Sequence, residues 1–250
     1  MVFDKNIIIS IIKIKGINYS TSKMIKSNDF GFHHIFADTS YSSTNSSNEN
    51  KKEYDETNKK ITFVLLHGTG GNEEDLIFLG KEIDPNASIL SPRGKVLENG
   101  MPRFFRRLAE GVFDVEDLKF RTLELAEFIQ KCSLHYKFDL NQTIAVGFSN
   151  GANIATSLLL LRPEVLQGAI LFRAMIPLVP NPLPNLSNKK ILLSAEVNDP
   201  IVSRTETENL FRLLQKTNAN IMLKWQNSSH NLIQEDILLA RKWISNNFSI

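Results

Sequence analysis

The stretch Ile144-Ala-Val-Gly-Phe-Ser149-Asn-Gly-Ala152 decides the fold of this 250-residue chain. An apolar run typical of a buried strand ends in Gly-x-Ser-x-Gly, and an apolar helical pattern follows it up to Arg162-Pro163. A serine at such a sharp turn presents its hydroxyl above the sheet edge, in a strained backbone that tolerates only small neighbours, here Gly147 and Gly151. The pattern therefore predicts a nucleophilic serine at a helix start, where unpaired amides face developing negative charge.

Composition restricts the class of protein. With 42% hydrophobic residues the chain can build one large α/β domain. The net charge of +2 arises from 29 basic and 27 acidic residues without a long basic run, so we expect no nucleic-acid partner. We also expect no membrane span and no signal peptide. The single cysteine, Cys132, excludes an intramolecular disulfide and a cysteine cluster for zinc or iron–sulfur binding, and it indicates a cytoplasmic protein. The serine chemistry predicted from Ser149 implies no metal or organic cofactor.

The chain divides unevenly. Residues 1–30 are predicted to be an extension of unclear structure, in which 7–17 could form a strand or hairpin, and residues 31–250 a single domain. The first strand of that domain is expected at Phe32 to Ala37. The segment 39–60 is rich in Ser, Asn, Glu and Lys and has almost no apolar residues, so we expect it to be solvated and mobile.

The remaining chain alternates between strands and helices. Strands are predicted at 61–66, 87–90, 168–173, 190–195 and 220–225, in addition to the one before Ser149. Asp114 is the expected N-cap of a helix with Cys132 in its apolar stripe, Ser203 and Glu206 form the pattern of a capping box, and a last helix is expected at 232–244. The alternation predicts a mostly parallel, doubly wound α/β sheet whose ligands bind at the carboxyl ends of the strands.

A glycine loop, His67-Gly-Thr-Gly-Gly71, directly follows the 61–66 strand. Loops that cradle phosphates look similar, but neither the Walker nor the dinucleotide pattern is present. The favoured interpretation is an oxyanion-hole loop, in which glycines let backbone N–H groups approach a tetrahedral oxyanion.

A serine hydroxyl needs a base, and in this fold the acid and then the histidine follow it along the chain. Of the five histidines, His230 is favoured because it lies just after the 220–225 strand. Asp199 lies just after the 190–195 strand and is followed by Pro200, which fixes the turn. Glu196, three residues earlier, also fits on spacing alone.

The segment 99–107 is predicted to be a long loop. Its candidate substrate contacts are Arg103, Phe104 and Met101, although the same arginines and phenylalanines could form a packed surface cluster. Together with Arg106, Arg107 and Arg173, Arg103 would favour an anionic substrate or would hold the loop in place.

These residues resemble the phospholipase/carboxylesterase group of α/β-hydrolases, which is related to dienelactone hydrolases and acyl-protein thioesterases. The resemblance covers about residues 61–245 and rests on motifs at 66–72, 147–152, 198–202 and 229–230. The block 93–111 looks like a narrower bacterial branch often tied to quinone or aromatic-compound stress. Two features depart from the family pattern: Ser229 and Asn231 replace glycines beside His230, and the N-terminal region is longer.

The resemblance implies a nucleophile, acid and base at Ser149, Asp199 and His230, and oxyanion donors in the backbone N–H groups of Thr69 and Asn150. It implies a serine carboxylesterase, and it leaves a homodimer open. The short connections between the predicted elements leave little room for a helical lid, so we expect an open cleft and small to medium esters. An acyl thioesterase or lysophospholipase would use the same triad. A catalytically inactive binding protein on the same scaffold is the alternative of another class.

Overall fold

The computed structural model describes residues 23–38 and 60–248. Within them the strands are β1 (Lys23–Ser27), β2 (His34–Asp38), β3 (Thr62–Leu66), β4 (Ser88–Pro92), β5 (Val96–Glu98), β6 (Met101–Arg103), β7 (Arg107–Ala109), β8 (Val112–Phe113), β9 (Thr143–Phe148), β10 (Gly168–Phe172), β11 (Lys190–Glu196) and β12 (Asn220–Gln226). The helices are α1 (Ile77–Ile83), α2 (Val115–Tyr136), α3 (Asn150–Leu161), α4 (Arg204–Lys216) and α5 (Gln234–Asn247).

One eight-stranded sheet organises the described residues, in the order β1-β2-β4-β3-β9-β10-β11-β12. Strand β2 pairs antiparallel with β1 and β4, and every neighbouring pair from β4 to β12 is parallel. The prediction of a mostly parallel sheet is therefore confirmed. Its carboxyl edge carries the segments that follow β3, β9, β11 and β12.

Both faces of the sheet are covered, which is why the central strands are continuous apolar runs. Along β3, Val64 and Leu66 belong to the core that packs on α2, α3 and α4. The intervening Phe63 and Leu65 belong to the opposite core, which contains residues of α1 and α5. Successive side chains of a strand point to opposite faces, so a helix layer lies on each side of the sheet. No helix of the described residues is long and apolar enough to cross a membrane.

The N-terminal strands differ from the prediction. Strand β1 lies inside the range 1–30 that was assigned to an extension, yet it pairs along its whole length with β2. The strand expected first, at Phe32 to Ala37, is therefore the second strand of the sheet. The 7–17 prediction and nearly all of the polar 39–60 segment fall outside the described residues.

The segment 99–107 is not the long loop that was predicted. Strands β5 and β6 form one short antiparallel hairpin, and β7 and β8 form another. Asn99 and Gly100 join β5 to β6 with φ of 52° and 78°. Two consecutive positive φ angles are the mark of the tight hairpin turn that Asn-Gly favours, so this signal was present in the sequence and was overlooked.

Helix starts follow the predicted caps with one exception. The Asp114 carboxylate accepts the N–H of Asp117, and the Ser203 hydroxyl accepts the N–H of Glu206. The Glu206 carboxylate, however, accepts the N–H of Ile176 in the segment after β10, so it bonds to a distant segment rather than completing the predicted capping box. The last helix begins at Gln234, slightly later than expected, and ends at Asn247.

Candidate active site

Ser149 lies between β9 and α3 with φ 52° and ψ −115°. This is a strained conformation for a residue with a side chain. Its backbone N–H donates to the carbonyl of Phe172, at the end of the neighbouring strand β10, at 2.9 Å. A Cβ on Gly147 would lie 2.6 Å from the Gly151 oxygen, and one on Gly151 would lie 1.9 Å from the Leu66 oxygen. Both flanking glycines are therefore required by close backbone packing.

Ser149, His230 and Asp199 form a continuous hydrogen-bonded chain. His230 Nε2 lies 2.9 Å from Ser149 Oγ, and His230 Nδ1 lies 2.7 Å from Asp199 Oδ2. The Asp and His side chains are almost completely buried. With Asp199 ionised, Nδ1 carries the proton and Nε2 accepts from the serine hydroxyl, which is the tautomer that a general base requires.

The Asp199 carboxylate is held from both sides. Its Oδ1 accepts the N–H groups of Ile201 and Val202 at 2.8 and 2.9 Å, which leaves Oδ2 for His230. Burial alone would raise the pKa of Asp199, but the hydrogen bonds from His230 and these backbone groups outweigh it and hold the pKa below the ordinary value. Asp199 is therefore charged at neutral pH.

Both carboxylate oxygens of Glu196, the other candidate acid, bond to partners other than His230. Its side chain is fully buried and pairs with Arg173, while its Oε2 accepts the backbone N–H of Ser228 at 2.6 Å. In the structure Asp199 is the carboxylate bonded to His230, because it lies beyond the end of β11, whereas Glu196 is the last residue of that strand.

The two expected oxyanion donors follow adjacent parallel strands. Thr69 follows β3 and Asn150 follows β9, and these strands pair up to Leu66 and Gly147. A Cβ on Gly68 would lie 2.9 Å from the ring of Phe148, so the glycine loop packs directly against the residue before the serine.

The β5–β6 hairpin and the residue after it bond to the glycine loop and to the first residue of α3. The Gly70 N–H donates to Pro102 O at 2.9 Å, and Arg103 Nη1 donates to Thr69 Oγ1 at 2.9 Å. The Phe104 N–H donates to Asn150 Oδ1 at 2.8 Å. Three consecutive residues therefore connect the glycine loop to the start of α3.

The three predicted substrate contacts have different surroundings. Arg103 is 3% exposed and Phe104 is 2% exposed, and the ring of Phe104 lies 4.7 Å from that of His67. Met101 is 38% exposed, and its sulfur would lie 3.5 Å from a Cβ on Gly70. Only Met101 of the three is therefore both open to solvent and beside the glycine loop.

The other arginines proposed for an anionic substrate have protein partners. Arg106 pairs with Asp114 at 3.0 Å, and Arg107 pairs with Glu98 at 2.8 Å. Arg173 is 1% exposed and pairs with Glu196 and Asp236. Of the two alternatives for Arg173, these contacts favour the structural one, because its guanidinium is buried between two carboxylates.

His67 has a structural role that the sequence analysis missed. Its Nδ1 lies 2.7 Å from Gly68 O and carries the proton, and its Nε2 accepts the N–H of Gly94 at 2.9 Å. Burial lowers the pKa of His67 to about 4, so the ring is neutral and its two bonds persist at neutral pH. The glycine loop is thereby fixed to the segment after β4.

The Cys132 thiol is not part of the candidate site. Cys132 is buried in the core, as predicted, and burial raises the pKa of its thiol to about 12. Such a thiol is not a nucleophile at neutral pH.

Across residues 23–38 and 60–248, no cluster of three or more His, Cys, Asp or Glu side chains is suited to hold a metal ion.

Similarity to known proteins is extensive. Residues 51–248 match the family model described as phospholipase/carboxylesterase. MhqD of Bacillus subtilis (strain 168), which bears the name of a hydrolase, is 46% identical over 190 residues, or 76% of this chain and 95% of MhqD. A Bacillus cereus carboxylesterase crystal structure is 45% identical with a TM-score of 0.76, covering 87% of this chain and 95% of its own. The structure of YahD with malic acid is 28% identical with a TM-score of 0.74, covering 86% and 98%. The prediction of an α/β-hydrolase fold is confirmed by these similarities.

Proposed function

Because the chain belongs to the phospholipase/carboxylesterase family, we propose that it is a serine carboxylesterase that hydrolyses small to medium esters through an acyl-serine intermediate. The observation that carries the proposal is the chain of hydrogen bonds from Asp199 through His230 to Ser149, at 2.7 and 2.9 Å. An ionised acid, a neutral imidazole and a hydroxyl in this order are the parts needed for acyl transfer.

In the acylation half-reaction, Ser149 Oγ attacks the ester carbonyl carbon while His230 Nε2 takes the hydroxyl proton. The carbonyl oxygen becomes an oxyanion, which the backbone N–H groups of Thr69 and Asn150 stabilise. The tetrahedral intermediate then breaks its bond to the alcohol oxygen, which leaves with the proton from His230. Asp199 stabilises the imidazolium form throughout and stays ionised.

The deacylation half-reaction repeats these steps with water. His230 removes a proton from a water molecule, whose oxygen attacks the acyl carbon of the ester bond to Ser149. Collapse of the second tetrahedral intermediate returns the proton to Ser149 Oγ and releases the carboxylic acid. The two half-reactions together require only the protein, the ester and water.

A fluorophosphonate probe tests whether Ser149 is an activated nucleophile. We expect stoichiometric labelling, located on the Ser149 peptide by mass spectrometry, and loss of labelling after denaturation, because activation depends on His230 being in place. Folded protein that takes up no label would contradict the proposal and favour an inactive scaffold.

The acyl pocket is measured by turnover of p-nitrophenyl esters from acetate to decanoate. We expect turnover to fall for the longer chains if the cleft is sized for small to medium acyl groups. Matched oxygen and thio esters of the preferred acyl group then separate an esterase from a thioesterase, since both reactions pass through the same acyl-serine.

Arg103→Gln is expected to lower kcat about tenfold, because the hydrogen bond from Arg103 to Thr69 holds the side chain of an expected oxyanion donor. A small displacement of such a donor costs about one to two orders of magnitude in rate.

The measurement is kcat and KM of Arg103→Gln for a neutral ester and an anionic ester. A positioning role predicts the same loss for both, whereas a selective loss with the anionic ester would mean that Arg103 binds substrate charge. Arg106→Gln is the control, because Arg106 is exposed and pairs with Asp114.

A further inference from the structure

The segment that carries His230, between β12 and α5, is fixed at both sides of the histidine. On one side, the N–H of Ser228 donates to Glu196 Oε2 at 2.6 Å. On the other side, the carbonyl of Asn231 accepts from Arg173 Nη2 at 2.6 Å. The segment also bonds to itself, because the hydroxyl of Ser228 donates to Asn231 Oδ1 at 2.9 Å and the N–H of Asn231 donates to Ser229 O at 2.8 Å.

The two anchoring side chains belong to one buried charge cluster, Arg173, Glu196 and Asp236. Arg173 follows β10, Glu196 ends β11 and Asp236 lies in the first turn of α5, and all three side chains are fully buried. The Arg173 guanidinium donates to both oxygens of Asp236, at 2.8 and 2.6 Å, and it also pairs with Glu196 Oε1. Ser194 Oγ and the N–H of Ile233 donate to Asp236 at 2.7 and 3.0 Å.

A cluster of this kind is a weak source of stability. Removing charged groups from water costs several kcal/mol per ion, and the attraction between them often only offsets that cost. The cluster does fix the relative positions of the groups that it bonds, since a planar guanidinium donates hydrogen bonds in fixed directions. Here those directions lead to two carboxylates and to the carbonyl of Asn231.

We propose that Arg173, Glu196 and Asp236 form a positioning cluster that holds the His230 segment so that Nε2 stays within hydrogen-bond distance of Ser149 Oγ. The inference rests on the proposed function, because it assigns these residues to the base of that reaction. The cluster acts through backbone atoms of Ser228 and Asn231 and does not touch the reacting atoms.

Glu196→Gln is the sharpest test. The change keeps the shape of the side chain, but the NH2 group that replaces one carboxylate oxygen cannot accept a hydrogen bond, so either Arg173 or the N–H of Ser228 loses its acceptor. We expect kcat to fall about tenfold to a hundredfold with KM changed less than twofold, and the rate of fluorophosphonate labelling to fall by the same factor. Arg173→Lys keeps the charge but loses the planar fork, and we expect a loss at least as large.

Two measurements separate positioning from a general loss of folding. Thermal unfolding by circular dichroism gives the folded fraction, to which every rate is normalised. The downfield proton resonance of the His230 Nδ1–H bonded to Asp199 is expected to be sharp in the wild type and broadened or lost in Glu196→Gln. Asp84→Asn is the matched control, because Asp84 is also a buried carboxylate that accepts a backbone N–H, from Asn86 at 2.9 Å, but it lies before β4 at the opposite sheet edge.

The outcomes are distinct. Wild-type kcat and labelling rates in both Glu196→Gln and Arg173→Lys, at full folded fraction, would overturn the positioning role while leaving the esterase intact. A wild type that is neither labelled nor active would overturn the proposed function. In that case the proton resonance still decides the inference, since an unchanged signal in Glu196→Gln would show that the cluster does not hold His230.

Discussion

Ser149→Ala is expected to lower kcat for p-nitrophenyl acetate by at least about 10⁴-fold, the largest change in activity that a single substitution should produce in this chain. Without Oγ no acyl-enzyme forms, and His230 Nε2 loses the group from which it removes a proton. What remains is the smaller contribution of substrate binding and the oxyanion donors. Initial rates, with enzyme concentration set by active-site titration of the wild type, give the ratio.

The fold of Ser149→Ala should be unaffected, because alanine has the same backbone restrictions as serine at this turn. Equal unfolding temperatures for mutant and wild type would show that the lost activity is chemical. Ser245→Ala is the control, since Ser245 is an exposed residue of α5 whose hydroxyl bonds within its own helix. A Ser149→Ala protein that kept more than about one per cent of wild-type turnover would mean that another nucleophile carries the reaction.

Gly151→Ala is expected to destabilise the protein by more than about 3 kcal/mol, the largest effect on folding among the substitutions considered. The added Cβ would lie 1.9 Å from the carbonyl oxygen of Leu66 and 2.7 Å from that of His67. These are backbone atoms at the end of the central strand β3, which pairs on both sides, so they cannot move aside as a flexible side chain could. Helix α3 would have to separate from the sheet, and Ser149 would move with it.

Equilibrium unfolding in urea measures this loss, and Gly100→Ala is the comparison. Gly100 has a positive φ of 78°, unlike Gly151, and a Cβ there meets no atom within 4 Å. Its replacement should cost only the conformational penalty of about 1 to 2 kcal/mol. If Gly151→Ala lost no more stability than Gly100→Ala, the close contact between α3 and β3 would not be a constraint on the fold.

The local pattern around Ser149 was sufficient to predict the sheet and the place of the candidate site. Where a strand ends in Gly-x-Ser-x-Gly and a helix follows, the sharp turn at the serine can be predicted from local sequence. The small residues that this turn requires all lie within three positions of the serine. One topological rule then extends the prediction, because the carboxyl ends of parallel strands share an edge. Asp199 and His230 each follow such a strand, so their proximity to Ser149 could be expected without knowing any long-range contact.

The roles of the charged residues could not be predicted in the same way. The sequence around an arginine does not show whether its side chain binds a substrate or a buried carboxylate. Its partner depends on which strands are neighbours in the folded sheet. Arg173 bonds to Asp236, 63 positions away, and Arg103 bonds to Thr69, 34 positions away. Spacing also could not separate Glu196 from Asp199, because the distinction depends on where β11 ends.

The sequence by itself determined the parallel strands of the sheet, most of its helices and the edge at which its reactive groups meet, because strand periodicity, glycine spacing and helix caps are properties of neighbouring residues. Only the tertiary structure decided which charges are buried together, which acid faces His230 and how the β5–β6 hairpin supports the glycine loop. The physical reason is that the energy of a charge depends on its solvent exposure and on its partners, and both are set when distant segments pack.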